Sequence, residues 1–235
     1  MNIYTEDILV RPHECGQNER IKLHGILNYF QDVAAEHAKI LRMGMEDLAL
    51  MDRLWVLSRL KVKIFRYPML REKLFLRTYP TGILKLFVDR QYEIYSSDQL
   101  LAVCSSLWLI LNAKTLRPQD PSKIVKNLLP DNRKEKAYFQ SLDRINFQDV
   151  FPILELVVGV SDIDLNGHLN NAVYARYIED VLGMLIGKEP DIDEIQINFQ
   201  HAGELHDHIK CGGTLSGKNF YISGGNYFCA EGKLR

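Results

Sequence analysis

The chain has 235 residues, of which 46% are hydrophobic and 25% are charged, the composition of an ordinary globular protein with enough apolar residues for a real core. The formal net charge of -1 excludes a general electrostatic attraction to nucleic acid, so an anionic partner has to be met by a local basic patch. The four cysteines lie far apart and form no CxxC pair, which predicts neither a disulfide framework nor a zinc site.

Targeting and membrane signals are missing from the sequence. The N-terminal segment MNIYTEDILV has no basic start and no apolar core of signal-peptide length. Apolar runs long enough to cross a bilayer do not occur either. We therefore expect a cytoplasmic protein without a membrane span.

The first half of the chain predicts one strand, one long helix and four further strands. Apolar residues recur every three or four positions over 24–41, the period of a helix that packs on a sheet. The predicted strands are 6–11, 54–67 ending before Pro68, 73–79, 84–95 and 100–111, with turns at Thr81-Gly82 and at 96–98.

A linker separates this half from a second copy of the same order. Residues 112–149 contain Pro118, Pro121, Pro130 and the charged run DNRKEK, so we predict domains at 1–113 and 151–235 joined by a linker at 114–150. The second half predicts strands at 151–160, 194–200, 208–215, 219–223 and 227–233, and a helix that ends near 186. The short echo of YFQDVA in YIEDVL agrees with an internal duplication.

The most informative stretch is SDIDLNGHLNNAVYARYIE, at 161–179. Asp164, Asn166 and His168 alternate with other residues, so an extended backbone would place all three side chains on one face. Asn170 and Asn171 follow, and asparagine is a preferred N-cap, so a helix should begin there.

Two interpretations of this stretch are open. The N–H groups and partial positive charge of a helix start polarise a carbonyl oxygen, while an imidazole or carboxamide positions water, a combination that suits ester or thioester hydrolysis. Alternatively, the stretch is a polar loop whose Asp and Asn side chains only cap a turn.

Four segments resemble the acyl-acyl-carrier-protein thioesterases, the plant fatty-acyl chain terminators and their bacterial relatives. They are LNYFQDVAAEHAKILRMG, LWVLSRLKVKIFRYP, SSLWLILNAKTLRP and SDIDLNGHLNNAVYARYIED. The resemblance implies an α+β fold with two hotdog domains in tandem, each a long helix wrapped by a curved antiparallel sheet. It also implies hydrolysis of fatty acyl thioesters on acyl carrier protein, with release of free fatty acid and without a metal or redox cofactor.

The resemblance assigns the catalytic Asp, Asn and His to Asp164, Asn166 and His168. His168 would act as general base or water positioner, Asn166 would orient water or the carbonyl, and Asp164 would orient the imidazole. N–H groups near Asn170 and Asn171 would hold the thioester oxygen.

One position departs from the family pattern. The family's glutamate falls on Ala202, so a water-activating carboxylate is missing there. Glu204 would point to the same face in a regular strand and is a candidate substitute. A bulge at Gly203 would instead turn Glu204 toward solvent, and we favour this outcome.

The resemblance also predicts a division of labour and a partner surface. The N-terminal domain should hold the acyl tail, with Ile26, Leu27, Phe30 and Met43 as lining residues. Because carrier proteins are acidic, we expect one basic patch for them. Its predicted members are Arg66, Arg71, Lys73, Lys123 and Lys126. A homodimer is compatible with this reading.

Two other functions compete with carrier-protein thioester hydrolysis. A coenzyme A thioesterase of the hotdog fold would share the catalytic face without needing a carrier surface. A non-catalytic acyl-binding module would explain the alanine at position 202. The cluster of His201, His206 and His208 lacks further ligands, so no metal site is predicted.

Overall fold

The computed structural model describes residues 2–132, 134–139 and 141–235, which separate into two compact units. The first unit comprises the residues up to Ile21 together with Asn28–Leu142, and the second comprises Lys22–Leu27 and Asp143–Arg235. Each unit contains an antiparallel sheet with helical residues packed on it. Among the described residues, the helices are too short or too polar for any of them to cross a membrane.

The elements of the first half follow the predicted order. They are β1 (Tyr4–Leu9), α1 (Leu23–Ile40), α2 (Met45–Ala49), β2 (Arg53–Ile64), β3 (Lys73–Leu84), β4 (Phe87–Ser96), β5 (Gln99–Asn112) and β6 (Pro118–Gln119). The strands of the first unit are ordered β1-β3-β4-β5-β2, all antiparallel, and β6 pairs with β5.

Helix α1 packs on this sheet through its predicted apolar stripe. The rings of Phe30 and of Tyr92 on β4 lie 4.9 Å apart. Two helical turns further along α1, His37 Nδ1 lies 3.1 Å from Nη1 of Arg90, which is also on β4. Side chains alternate along a strand, so Arg90 and Tyr92 mark the face of β4 that contacts the helix.

The turn predicted at Thr81-Gly82 is wrong. Strand β3 continues through these residues with a bulge between Pro80 and Gly82, whose φ of +147° suits a glycine at an irregular position. The chain reverses instead at Lys85 and Leu86, where Leu84 pairs with Phe87 and Lys85 has a φ of +58°. A two-residue hairpin needs such positive φ values, so the turn forms there.

The end of the predicted linker packs on the other face of β4. Glu93 is buried there, and its Oε1 accepts hydrogen bonds from the hydroxyls of Tyr138 at 2.6 Å and Tyr79 at 3.1 Å. Its Oε2 pairs with Arg77 Nη1 at 2.6 Å. The Tyr95 hydroxyl also donates to Oε2, at 3.2 Å. Four charged or hydroxyl donors therefore satisfy this carboxylate, and the bond from Tyr138 fixes its segment to the sheet.

The second half also follows the predicted order. Its elements are β7 (Pro152–Val157), α3 (Asn171–Ile186), β8 (Ile192–Phe199), β9 (His208–Ser216), β10 (Asn219–Ser223) and β11 (Phe228–Leu234). The strands are ordered β8-β11-β10-β9-β7, again antiparallel. Helix α3 ends at Gly187, which adopts the left-handed conformation common after a helix C-terminus.

A carboxylate from α3 caps the start of α1. The Leu23 N–H donates to Glu179 Oε1 at 2.7 Å, and His24 Nδ1 lies 3.3 Å from Glu179 Oε2. Residues 22–27 belong to the second unit, so this contact lies within that unit. A negative charge at a helix N-terminus is favourable, because it meets free N–H groups and the positive end of the helix dipole.

We expect Glu179→Ala to lower the free energy of unfolding by about 1 kcal/mol, the usual cost of losing a helix cap. Glu179→Gln should cost less, because its amide oxygen still accepts the Leu23 N–H. The urea midpoint followed by circular dichroism measures both effects. Glu189→Ala, at an exposed position, is the matched control, and equal midpoints for Glu179→Ala and this control would contradict the capping role.

Candidate active site

The segment that carries Asp164, Asn166 and His168 is a tight turn. Ile163 and Leu169 form an isolated antiparallel bridge, and within it the Asp164 N–H donates to the His168 carbonyl at 2.8 Å. Gly167 has a φ of +78°, which permits the reversal. The condition of an extended backbone is therefore not met, because the glycine lets the chain fold back between the two bridge residues.

Asp164 holds this turn through its side chain. Its Oδ1 accepts the Asn166 N–H at 2.8 Å and the His168 N–H at 3.5 Å, while its Oδ2 lies 3.4 Å from Asn166 Nδ2. Among the described residues, the Asp164 carboxylate bonds to no imidazole nitrogen of His168. The turn thus brings the three predicted residues together, with Asn166 and His168 exposed.

Helix α3 begins where the sequence predicted. Asn170 is its N-cap, with the side-chain oxygen accepting the Ala172 N–H at 2.9 Å. The Val173 N–H donates to the Asn170 carbonyl at 2.9 Å. These two N–H groups are already used, as are the N–H groups of Leu169 and Asn170. The oxyanion role of the helix start near Asn170 and Asn171 stays a prediction.

Asp162, which the sequence analysis did not single out, anchors the turn from the other side. It is buried, and its Oδ1 accepts from Arg176 Nη2 at 2.9 Å and its Oδ2 from the Gly159 N–H at 3.1 Å. Its carbonyl accepts the Asn170 N–H at 2.9 Å. One aspartate therefore links the segment before the turn to the N-cap and to the second turn of α3.

Residues 201–203 are fixed beside the same turn. The Leu169 N–H donates to the Gly203 carbonyl at 2.8 Å. The Tyr174 hydroxyl accepts the Gly203 N–H at 3.0 Å and donates to the His201 carbonyl at 3.1 Å. Gly203 permits this close packing, because a Cβ added there would lie 3.0 Å from Leu169 Cβ, so that the leucine would have to shift. Ala202 and Glu204 therefore flank a backbone position held against the residue that follows His168.

Tyr174 is placed for this role by its burial. Its ring packs edge-on against Phe199 and Phe228, with centroids 5.6 Å and 5.3 Å away. Burial raises the pKa of Tyr174 to about 12, so the hydroxyl keeps its proton at neutral pH and remains a donor. The sequence places Tyr174 at the end of the pattern D-x-N-x-H-x-N-N-x-x-Y and on the apolar stripe of α3, but neither feature predicts its bonds to residues 201–203.

Glu204 lies in a turn rather than in a strand. Strand β8 ends at Phe199, and the Glu204 N–H donates to Asp207 Oδ2 at 2.8 Å while the Asp207 N–H returns to the Glu204 carbonyl at 3.1 Å. The argument from strand alternation therefore does not apply to Glu204. Its side chain is exposed.

The histidines near this turn do not assemble into a metal centre. His208 Nδ1 lies 3.0 Å from Glu155 Oε1, whereas His201 and His206 are exposed. Within the described ranges, no group of three His, Cys, Asp or Glu side chains is arranged to hold a metal ion.

The five basic residues predicted to form one patch lie at two ends of the first unit's sheet. Arg66, Arg71 and Lys73 lie where β2 ends and β3 begins. Lys123 and Lys126 flank Val125, which packs with Ile110 in a cluster that Trp55 borders near the start of β2. Nine residues of strand, or roughly 30 Å, separate Trp55 from Ile64. The prediction of a single patch is therefore wrong.

Arg66 is also partly neutralised. Its guanidinium meets Glu72 through two hydrogen bonds, at 3.0 Å and 2.5 Å. This pairing lowers the pKa of Glu72 to about 2. A bidentate pair of this kind holds both charges locally, so Arg66 offers less to an acidic partner than the exposed Arg71 and Lys73 do.

The four residues predicted to line an acyl pocket are all buried. Ile26 and Leu27 belong to the second unit, and Phe30 and Met43 to the first. Met43 packs in the cluster of Val88, Ile110 and Val125, and its carbonyl accepts the Trp55 indole N–H at 2.8 Å.

Comparison with known protein families and curated proteins gives two kinds of match. The family described as acyl-ACP thioesterase N-terminal domain matches residues 1–128, and its C-terminal domain counterpart matches 147–221. The chloroplastic oleoyl-acyl carrier protein thioesterase of Coriandrum sativum is 23% identical over 226 residues, which is 88% of this chain and 60% of that protein. The palmitoyl-acyl carrier protein thioesterase of Cuphea hookeriana is 22% identical over 190 residues, 75% of this chain and 46% of that protein. The chain thus spans less than two thirds of these plant relatives.

Solved structures of similar proteins establish the fold. An acyl-ACP thioesterase from Bacteroides thetaiotaomicron superposes with a TM-score of 0.87 at 22% identity, over 100% of this chain and 98% of that one. The 12:0-ACP thioesterase from Umbellularia californica gives a TM-score of 0.84 at 18% identity, with coverage of 100% and 98%. The predicted α+β double hotdog fold is confirmed. Since the two family domains match in order and together cover most of the sequence, this chain belongs to the acyl-ACP thioesterase family.

Proposed function

We propose that this protein hydrolyses fatty acyl thioesters carried on acyl carrier protein and releases free fatty acid, ending chain growth in fatty acid biosynthesis. The observation that carries the proposal is the turn at the start of α3. It gathers Asp164, Asn166 and His168 within a region that matches the thioesterase C-terminal domain. The names of the relatives, as carrier-protein thioesterases, support the substrate class.

In the proposed reaction, water attacks the thioester carbonyl carbon while the His168 imidazole takes its proton. A C–O bond forms, the C–S bond breaks, and His168 returns the proton to the departing thiolate sulfur. The positive dipole end of α3 stabilises the negative charge that develops on the carbonyl oxygen. Exposed Asn166 orients the water or the carbonyl oxygen.

Asp164 has a positioning role in this proposal. Its carboxylate bonds to the backbone N–H groups of Asn166 and His168, so it sets the direction in which the imidazole leaves the turn. This differs from direct orientation of the imidazole ring, which the sequence suggested. The role does not require a charge, only an acceptor of the right shape.

The first unit, with buried Phe30 and Met43, would hold part of the acyl tail. The domain boundaries inferred from the sequence, a homodimer and a cytoplasmic location stay predictions. Sedimentation analysis of the purified chain would test the homodimer, and a monomer at micromolar concentration would contradict it.

We expect His168→Ala to lower kcat on an acyl-carrier substrate by about a hundredfold or more, because the general base is lost. Asp164→Ala should produce a similar loss through the turn, whereas Asp164→Asn should retain most activity, because its amide oxygen still accepts the two N–H groups. Unfolding midpoints of the variants control for collapse of the turn. Full activity of both alanine variants would remove these residues from the mechanism.

Glu204 and Ala202 test how the chain manages without the family's glutamate. We expect Glu204→Gln to leave kcat within about threefold of the parent, since the exposed side chain lies in a turn. A loss of about tenfold, or 1.4 kcal/mol of barrier, would instead assign the water-activating role to Glu204. Ala202→Glu should raise kcat if position 202 still faces the reacting water, with Ala202→Gln as the uncharged control.

Docking of the acyl carrier protein is tested by two double charge-reversal variants, one at each end of the first unit's sheet. One pair is Arg71→Glu with Lys73→Glu, and the other is Lys123→Glu with Lys126→Glu. We expect one pair, at the end that docks the carrier, to raise KM on acyl-carrier substrate and to leave acyl-coenzyme A kinetics unchanged. Equal effects of each pair on both substrates would argue against carrier docking at either end.

The same kinetic comparison separates the competing functions. A coenzyme A thioesterase would turn over acyl-coenzyme A at least as fast as the matched carrier substrate. A non-catalytic acyl-binding module, which the alanine at position 202 favours, would bind acyl chains tightly and turn over neither substrate.

A further inference from the structure

A buried arginine lies on the face of the first unit's sheet that contacts α1. Arg90 is only 5% exposed and follows Val88 and precedes Tyr92 on that face of β4. Its Nη1 lies 3.1 Å from His37 Nδ1 and 3.2 Å from Thr78 Oγ1. Both partners are uncharged groups or weak bases rather than acids.

The charge of Arg90 has no counterpart nearby. Among the described residues, no carboxylate comes within ion-pair distance of it, and no hydrogen bond is made by its Nε or Nη2. Arg77, on the opposite face of the same sheet, differs in this respect. Its Nη1 pairs with Glu93 Oε2 at a distance of 2.6 Å. Burial lowers the pKa of Arg90, yet a guanidinium remains protonated at neutral pH. Burying a cation without a counter-charge is unfavourable.

More polar groups continue this surface along β4 and β5. Ser106 Oγ donates to the Tyr92 hydroxyl at 3.1 Å, and the Trp108 indole N–H donates to Ser106 Oγ at 2.8 Å. Between helix and sheet, Arg90, Tyr92, Ser106 and Trp108 therefore form a polar strip. Two packed elements need only apolar contacts for stability, so this strip calls for another explanation.

Arg90 also lies between two of the residues predicted to contact the acyl tail. Phe30 packs on Tyr92, two positions after Arg90, and Met43 packs with Val88, two positions before it. A chain held along Phe30 and Met43 would therefore pass the unpaired side of the guanidinium.

We propose that Arg90, supported by His37 and Thr78, binds an oxygen acceptor carried by the acyl chain, so that the protein prefers oxygenated acyl chains to plain saturated ones. This inference rests on the proposed function, since the ligand is the acyl chain of that reaction. A carboxylate fits best, because it accepts two parallel hydrogen bonds from Nε and Nη2 and neutralises the charge. A hydroxyl group accepts one, and a saturated chain leaves the guanidinium unpaired.

Direct binding tests this preference without turnover. Matched series of N-methyl fatty amides with a plain saturated, an ω-hydroxy or an ω-carboxy chain are titrated into the full chain at several chain lengths. The amide replaces the head-group carboxylate, which could otherwise pair with the guanidinium itself. Trp108 fluorescence reports binding beside the polar strip, in a Trp55→Phe background that removes the other tryptophan. We expect the ω-carboxy amide to bind at least about tenfold more tightly than the saturated amide of the same length, with the ω-hydroxy amide between them.

Arg90→Met, which keeps the length and removes the charge, should abolish this order and favour the saturated amide. Arg90→Lys should retain part of it. Equal affinities for the three series in the parent protein would overturn the proposal, as would an unchanged order in a folded Arg90→Met variant. Should that variant fail to fold, the series measured on the parent protein decides alone.

Hydrolysis is measured separately on the same acyl chains attached to acyl carrier protein. If the ligands bind in the expected order of affinity but no carrier-bound chain is hydrolysed, the result would contradict the proposed reaction and support the binding site. Hydrolysis of saturated chains with no preference in binding would support the reaction and overturn the site.

Discussion

The candidate active site depends on one buried hydroxyl group, that of Tyr174. It accepts the Gly203 N–H and donates to the His201 carbonyl, and so it holds residues 201–203 beside the start of α3. The Leu169 N–H, which follows His168 directly, completes the contact with Gly203. Because burial raises the pKa of Tyr174 to about 12, this hydroxyl serves as donor and acceptor throughout the neutral range.

Acidic residues around the site are used mainly to shape the backbone. Asp162 pairs with Arg176 and bonds to the Gly159 N–H, and Asp164 bonds to two N–H groups of the turn. In the proposed reaction, chemistry is therefore left to the exposed imidazole of His168 and the amide of Asn166. A site of this kind relies on a rigid turn and a helix N-terminus instead of a chain of hydrogen-bonded side chains.

The first unit treats its two sheet faces differently. On the face opposite α1, Glu93 is paired with Arg77 and three tyrosine hydroxyls, one of which fixes the segment after β6 to the sheet. On the helix-facing side, Arg90 bonds, among the described residues, only to His37 and Thr78. The first arrangement satisfies every strong acceptor and has a structural purpose, whereas the second retains donors that a ligand would satisfy.

The sequence by itself determined the features that depend on neighbouring residues. The period of apolar residues located α1, the N-cap Asn170 set the start of α3, and turn residues bounded β10. Gly82 misled the prediction, since a predicted turn became a bulge in β3, whereas Gly167 closed the turn that one of the two sequence interpretations allowed. Tertiary structure alone decided that Gly203 packs on Leu169, that Glu179 caps α1, and that the basic residues separate into two groups. These contacts join residues far apart in the chain, so no local period or cap encodes them.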